Sequence, residues 1–266
     1  LENADALAPE VHREFAPPVA ALRSDCPGLA HVTVVDDGSG AVRPDASVDS
    51  EDVLAGAPPG RPDGADRSGD DLYIAYTGGT TGMPKGVMWR HEDIFFAALG
   101  GGDPTQMEGP ISSPEELVER IPEVGGIQLQ TPPLMHVSAH WGTLQTFFGG
   151  GTAVLLSPGG FDVDEALDTI AAEGVMILVL VGDAMARPLA DAIAADGGRR
   201  DLSSLFVIGS GGAMLTAAVK DALRAHLPNL IVVDGYGSSE TGVAGSQTTM
   251  GDGSATGPSF AMGPDT

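Results

Sequence analysis

Several residue types and patterns are scarce in this 266-residue chain. One cysteine, Cys26, excludes an internal disulfide framework and a cysteine-rich metal site, and it fits a reducing, cytoplasmic location. Lysine and arginine number 13 against 37 acidic residues, and the net charge of −24 argues against nucleic acid or an anionic membrane as a main partner. Neither a charged-then-apolar leader nor an uninterrupted run of 18 apolar residues occurs, so we predict no integral membrane segment.

The strand and helix signals divide the chain near residue 70. Residues 1–70 are predicted to be the tail of a first α/β subdomain plus a long loop, because 37–70 is rich in Gly, Pro, Asp and Ser. Residues 71–266 are predicted to be an α/β nucleotide-binding region in which short apolar strands alternate with helices. Predicted strands are 71–77, 127–130, 152–156, 175–181, 205–209 and 230–234. Predicted helices are 89–99, with the start near His91, and 136–148, 164–173, 183–195 and 216–226. This alternation predicts mainly parallel sheets covered by helices, with ligands bound beyond the carboxyl ends of the strands.

The most informative segment is 76–86, Tyr-Thr-Gly-Gly-Thr-Thr-Gly-Met-Pro-Lys-Gly, which carries one of only two lysines in the chain. Glycines let backbone N–H groups approach phosphate oxygens, hydroxyls bind oxygens or a metal ion, and an ammonium group neutralises charge. A polyphosphate ligand explains this combination better than a surface loop does. The Walker A pattern fails, because Lys85 follows Pro84 and precedes Gly86. The candidate contacts are Thr77, Gly78, Gly79, Thr80, Thr81, Gly82 and Lys85.

This segment resembles the phosphate-binding signature of adenylate-forming enzymes, which include acyl-CoA synthetases, firefly luciferases and peptide-synthetase adenylation domains. Gly78 or Gly79 stands where that family usually has serine. A second segment, 234–242, resembles the family motif that ends in Thr-Glu. The resemblance implies that Tyr236 stacks on adenine and that Ser239 contacts phosphate. It also implies that Glu240 and Thr81 hold Mg²⁺. Asp234, Gly235 and Gly237 complete this candidate nucleotide site.

Other patterns fit segment 234–242 less well. It lacks the third glycine of a dinucleotide fingerprint and the last glycine of a nucleophile elbow. A third segment, 209–213, follows a predicted strand, and in the family such a loop lies against adenine and the acyl group. We therefore add Gly211, Gly212 and Ala213 to the candidate nucleotide contacts, although a plain strand-to-helix turn has nearly the same pattern.

A fourth segment, 132–138, resembles the motif that opens the acyl pocket. Peptide-synthetase domains have an aspartate at the position of His136, where it pairs with the substrate ammonium group. Histidine is a poor counter-charge at neutral pH, so we expect an acid without an α-amino group. A zinc pair of His136 and His140 is the alternative, but residue 137 is valine rather than glutamate and no third ligand is evident.

The resemblance implies an AMP-forming acid–thiol ligase, in which Lys85, Thr81, Glu240 and His136 are the catalytic candidates. Its substrates would be ATP, coenzyme A and a small carboxylic acid, and segments 83–93 and 181–188 are most similar to the branch that activates fatty acids and steroid side chains. We expect the chain to be the central part of a longer enzyme and inactive alone, because the family's ribose-binding Asp and C-terminal lysine domain are not matched. A homo-oligomer is compatible with the sequence.

Three alternatives remain open at this point. They are a nucleotide-binding module without ligase activity, a kinase or ATPase of the P-loop type, and a domain that adenylates an amino acid or aryl acid. The preferred interpretation requires the turn with Lys85 and the turn with Glu240 to face one cleft.

Overall fold

A computed structural model describes residues 1, 4–60, 66–78, 82–103, 108–157, 159–249 and 261–262. Within these ranges the chain divides into two units, Leu1–Asp66 and Arg67–Thr266, which are described separately.

The first unit contains a small parallel sheet in the order β1–β2–β3, formed by β1 (Glu10–His12), β2 (Thr33–Val35) and β3 (Val48–Asp49). Its helices are α1 (Ala16–Ala21) and α2 (Ser50–Gly56), and two 3₁₀ turns flank α1. Ala16, Leu29, Val32 and Val34 form its buried core.

The prediction of an uninterrupted loop over 37–70 is wrong, because β3 and α2 lie inside it. The Asp49 side chain caps α2 by accepting a hydrogen bond from the Glu51 N–H, and Glu51 and Asp52 place negative charge in the first turn.

The second unit begins with an antiparallel hairpin of β4 (Leu72–Thr77) and β5 (Lys85–Arg90), in which Thr77 lies opposite Lys85. The predicted helix within 89–99, with its start near His91, is α3, which covers His91–Ala97. A 3₁₀ turn (Gly100–Gly102) and α4 (Pro114–Arg120) follow. The side chain of Ser113 caps α4 by accepting from the Glu116 N–H, and a proline occupies the start of the helix.

The main sheet of the second unit has seven strands in the order β12–β11–β10–β9–β8–β6–β7. The strands are β6 (Ile127–Gln130), β7 (Thr152–Leu155), β8 (Ile177–Leu180), β9 (Val207–Ser210), β10 (Ile231–Ser238), β11 (Gly242–Thr249) and β12 (Ala261–Met262). Strands β6 to β10 pair in parallel, whereas β11 is antiparallel to both of its neighbours. The predicted fold class, α/β with a mainly parallel sheet covered by helices, is therefore confirmed.

Four helices alternate with the parallel strands: α5 (Val137–Phe148), α6 (Val163–Glu173), α7 (Gly182–Asp196) and α8 (Ala217–His226). The largest core contains Leu129, Leu178 and Ile208 from the sheet, packed against side chains such as Leu167, Leu189 and Leu223 from the helices. Strand β8, Ile-Leu-Val-Leu, is apolar at every position because both faces of the sheet are covered at this central strand. None of the described helices has the length and apolar content needed to cross a membrane.

Candidate functional site

Two of the predicted motifs lie side by side at the carboxyl edge of the main sheet. Ser210, at the end of β9, pairs in register with Asp234 of β10, so the glycine loop after Ser210 runs beside Gly235. A Cβ atom added to Gly211 would lie 3.6 Å from the Gly235 carbonyl oxygen. Gly212 and Ala213 continue the loop, and Ala213 lies against Gly182 at the start of α7. Parallel pairing thus brings Gly211, Gly212 and Ala213 next to the segment that starts at Asp234.

The hairpin turn between β10 and β11 presents Glu240. Ser238 pairs with Gly242, which leaves a three-residue loop, Ser239–Thr241, between the strands. Gly242 has a φ of +69°, the left-handed conformation that closes such loops and that glycine adopts without strain. The Ser238 and Thr241 side chains hydrogen-bond across the turn at 3.1 Å. Glu240 is exposed, and across the described ranges its carboxylate makes no hydrogen bond or ion pair.

Strand β10 carries Tyr236 and Gly237 toward this turn, and its register shifts between these two residues. The Tyr236 side chain is 60% exposed, as a surface for stacking on a flat ring requires. A Cβ atom at Gly237 would lie only 2.1 Å from the Gly242 carbonyl oxygen, so the crossing of β10 and β11 at this point requires a glycine.

The buried pair of Lys220 and Asp234 lies directly behind this segment. Lys220 Nζ in α8 is 3.1 Å from Asp234 Oδ2, and the two side chains are 3% and 9% exposed. Sequence reasoning assigned no role to Lys220 and listed Asp234 as a nucleotide contact. The structure adds that the Asp234 carboxylate is an ion-pair partner inside the protein, at the residue from which the Gly235–Glu240 segment extends.

The first motif lies on the separate β4–β5 hairpin. Thr77 and Lys85 form its last strand pair, and Lys85, Gly78 and Gly82 are exposed. Gly82 has a φ of +105°, which favours glycine at this position. The predicted contacts Gly79, Thr80 and Thr81 lie outside the described residues.

The hairpin is linked to the Glu240 turn through Trp89. The Trp89 indole Nε1 donates a hydrogen bond of 2.8 Å to the carbonyl oxygen of Ser239. Trp89 is four residues after Lys85 on the same strand, a separation of about 13 Å at the usual rise of a β-strand. The strand that begins at Lys85 therefore contacts the turn that carries Glu240, and a shared cleft between the two side chains remains a prediction.

His136 is exposed at the N-cap position of α5. Its neighbour His140 is engaged elsewhere, since Nδ1 lies 3.0 Å from the Tyr73 hydroxyl oxygen and the two rings are 5.6 Å apart. Burial raises the pKa of Tyr73, so this hydroxyl stays protonated at neutral pH. The contact favours the ordinary interpretation of His140 as a packed helix-face residue over the zinc pair.

One candidate metal group of three side chains occurs within the described ranges, and it belongs to the first unit. It consists of His12, Glu14 and Asp37. Hydrogen bonds from Ser39 and from the Glu14 N–H hold the pKa of Asp37 well below its usual value.

The chain is similar in sequence to known proteins over most of its length. The family model of AMP-binding enzymes matches residues 8–262. The medium-chain acyl-CoA ligase Mig of Mycobacterium avium is 43% identical over 268 aligned positions, covering 100% of this chain and 48% of Mig. The 3-oxocholest-4-en-26-oate–CoA ligase of Rhodococcus rhodochrous is 38% identical, covering 92% of this chain and 44% of that ligase. The chain thus spans about half the length of these relatives.

Solved structures agree on the fold. The anthranilate CoA ligase AuaEII, solved with anthranoyl-AMP, has a TM-score of 0.70 at 22% identity, over 92% of this chain and 43% of AuaEII. A strand–helix sheet with glycine-rich loops at its carboxyl edge is the architecture of a nucleotide-binding α/β protein. This chain belongs to the AMP-binding enzyme family.

Proposed function

We propose that the chain is the central part of an AMP-forming acid–thiol ligase that activates a fatty or steroid-side-chain carboxylic acid. The observation that carries the proposal is the Trp89–Ser239 hydrogen bond, which joins the strand of the Gly/Thr motif to the turn of Glu240. The family match and the names of the relatives support the same activity.

The proposed reaction has two steps. A carboxylate oxygen of the acid attacks the α-phosphorus of ATP, and the bond to pyrophosphate breaks to leave an acyl-adenylate. The sulfur of coenzyme A then attacks the acyl carbonyl carbon, its proton is lost to solvent, and AMP leaves. The first step brings two anions into contact, so positioning and charge neutralisation provide most of the catalysis.

The residues divide these tasks by their chemistry. The Lys85 ammonium and the hydroxyls of Thr77, Thr80 and Thr81 bind the oxygens of the departing pyrophosphate. The exposed ring of Tyr236 packs on adenine, and the backbone of Gly211, Gly212 and Ala213 lies along the other side of the nucleotide. Gly235 and Gly237 belong to the strand backbone that the nucleotide approaches.

Glu240 fits a role as Mg²⁺ ligand. Its carboxylate is exposed, carries no partner among the described residues, and lies beside hydroxyl groups in a turn that is well hydrogen-bonded. Mg²⁺ is held in such sites by one or two carboxylates plus substrate phosphates, and Thr81 would add a hydroxyl ligand. When bound, the ion would neutralise charge on the phosphates.

The acid is proposed to lack an α-amino group, because His136 offers no fixed negative charge at the entrance of α5. The relatives' substrates, which are medium-chain, fatty and steroid-side-chain acids by name, support this choice. The site of action is proposed to be the cytoplasm.

The test replaces Glu240 by alanine in the complete polypeptide encoded by the reading frame that contains these residues. Acid-dependent exchange of pyrophosphate into ATP should fall by about 10²-fold or more, while the circular dichroism spectrum stays unchanged. Glu173→Ala is the matched control, because Glu173 is equally an exposed acid but ends α6, near the amino edge of the sheet. Equal exchange rates in the Glu240→Ala protein and the wild type would rule out the metal role.

A further inference from the structure

Trp89 connects two parts of the molecule that are far apart in sequence. It lies on β5, and its hydrogen bond to the Ser239 carbonyl oxygen spans 150 residues of chain. Ser239 directly precedes Glu240. A single indole N–H therefore joins the strand that begins with Lys85 to the backbone that presents the Glu240 carboxylate.

The Trp89 ring is itself held in place. It meets Trp141 of α5 edge to face, with ring centroids 6.3 Å apart and an interplanar angle of 90°. Both rings belong to an apolar cluster that includes Ile94 and Ala98 at α3 and Leu144 of α5. Because an indole packed in this way has little freedom about its side-chain bonds, the direction of its N–H is fixed.

The turn that accepts this hydrogen bond is also held at its other end. A Cβ atom at Gly242 would lie 2.8 Å from the Ala97 carbonyl oxygen, so the turn abuts the end of α3. Inside the turn, Ser238 Oγ accepts from the N–H groups of Glu240 and Thr241 at 3.3 and 3.2 Å. The backbone around Glu240 is thus fixed on both sides, while its carboxylate faces solvent.

We infer that Trp89 is a positioning residue that sets where Glu240 lies relative to the strand of Lys85. This inference rests on the proposed function, in which Lys85 binds phosphate and Glu240 binds the metal ion on the same nucleotide. Two groups that act on one triphosphate must keep a defined separation, and misplacing one of them slows the reaction without unfolding the protein.

The test compares Trp89→Phe with Trp141→Phe in the complete polypeptide. Phenylalanine preserves an aromatic ring in the cluster but cannot donate a hydrogen bond, so Trp89→Phe removes the contact to Ser239. Trp141→Phe removes an indole from the same ring pair and leaves that contact in place. Two quantities are measured: amide hydrogen exchange in peptides covering 236–245, and the rate of ATP–pyrophosphate exchange as a function of Mg²⁺ concentration.

In Trp89→Phe we expect faster amide exchange across the turn, about tenfold slower ATP–pyrophosphate exchange, and a higher Mg²⁺ concentration at half-maximal rate, with an unchanged KM for the acid. Trp141→Phe should change neither the amide exchange of the turn nor the Mg²⁺ dependence. Unchanged amide exchange in Trp89→Phe, or the same Mg²⁺ shift in both variants, would overturn the inference. A wild-type protein without acid-dependent exchange would instead contradict the proposed function, while the amide measurement would still report on the contact itself.

Discussion

Removing Lys220 should destabilise the second unit strongly, because it would leave a buried carboxylate without a counter-charge. Lys220 Nζ is 3.1 Å from Asp234 Oδ2, and the side chains are only 3% and 9% exposed. In Lys220→Met the methionine fills the volume of the aliphatic stem of lysine. The packing of α8 on the sheet is thereby kept, and the main change is the loss of the ammonium group.

The expected magnitude follows from this burial. Breaking a buried ion pair by removing one partner costs about 3–5 kcal/mol in the free energy of unfolding. A unit of this size loses roughly 2–4 °C of Tm for each kcal/mol, so the melting temperature should fall by roughly 6–20 °C. The double variant Lys220→Met/Asp234→Asn should recover part of this loss, since neither side chain of the pair then carries a charge.

The assay is urea and thermal denaturation followed by circular dichroism. Arg187→Met is the matched control, because Arg187 and Asp183 also have an N–O distance of 3.1 Å but their side chains are 57% and 26% exposed. An exposed pair of this kind contributes about 0–1 kcal/mol. If Lys220→Met costs no more than Arg187→Met, the argument that burial determines the energy of this pair is wrong.

Two further predictions concern glycine packing and acid stability. Gly237→Ala should lower the free energy of unfolding, measured by urea denaturation, by more than about 2 kcal/mol, because its Cβ would lie 2.1 Å from the Gly242 carbonyl oxygen. Gly211→Ala is the control, and it should cost less than about 1 kcal/mol because the nearest neighbour of its Cβ is 3.6 Å away. Hydrogen bonds from the Ser112 N–H and hydroxyl, followed by that from Arg120, lower the pKa of Glu116 from 4.5 to about 2. A carboxyl with a depressed pKa stabilises the fold above its ordinary pKa, so wild type should exceed Glu116→Gln in unfolding free energy at neutral pH. The difference in unfolding free energy between wild type and Glu116→Gln should vanish as the pH falls from 4.5 to about 2. A difference that does not depend on pH would contradict the lowered pKa of Glu116.

The main sheet could be predicted from the sequence because its signals are local. Continuous apolar runs such as 175–181 and 205–208 indicate strands buried on both faces, and the segments between the predicted strands have helical lengths. Only β4 of the β4–β5 hairpin is predicted from the sequence, since residues 85–90 directly follow the Gly/Thr segment and carry no separate strand signal. Strand β11, rich in small residues, carries little apolar pattern and depends on its pairing with β10.

The contacts that surround the candidate site could not be predicted in the same way. Lys220 lies in a predicted helix and matches no motif, and only the packing of α8 behind β10 shows that it faces Asp234. Trp89 and Ser239 are 150 residues apart, and no local pattern in one segment specifies the other. Glycine and threonine motifs identify which backbone approaches a ligand, but the side chains that hold that backbone in place are chosen by tertiary packing.

This difference has a consequence for how the site is assembled. The loops after β9 and β10 come together because parallel strands end at one edge, so their proximity is a property of the sheet itself. The Gly/Thr motif lies on a separate two-stranded sheet, and nothing in the main sheet's topology determines where that hairpin rests. The placement of the hairpin relative to Glu240 must therefore come from tertiary contacts. Among the described residues, the Trp89–Ser239 hydrogen bond joins β5 directly to the Glu240 turn. For that reason, loss of the Trp89 indole N–H should affect nucleotide chemistry more than a comparable change in the larger core beneath the parallel strands.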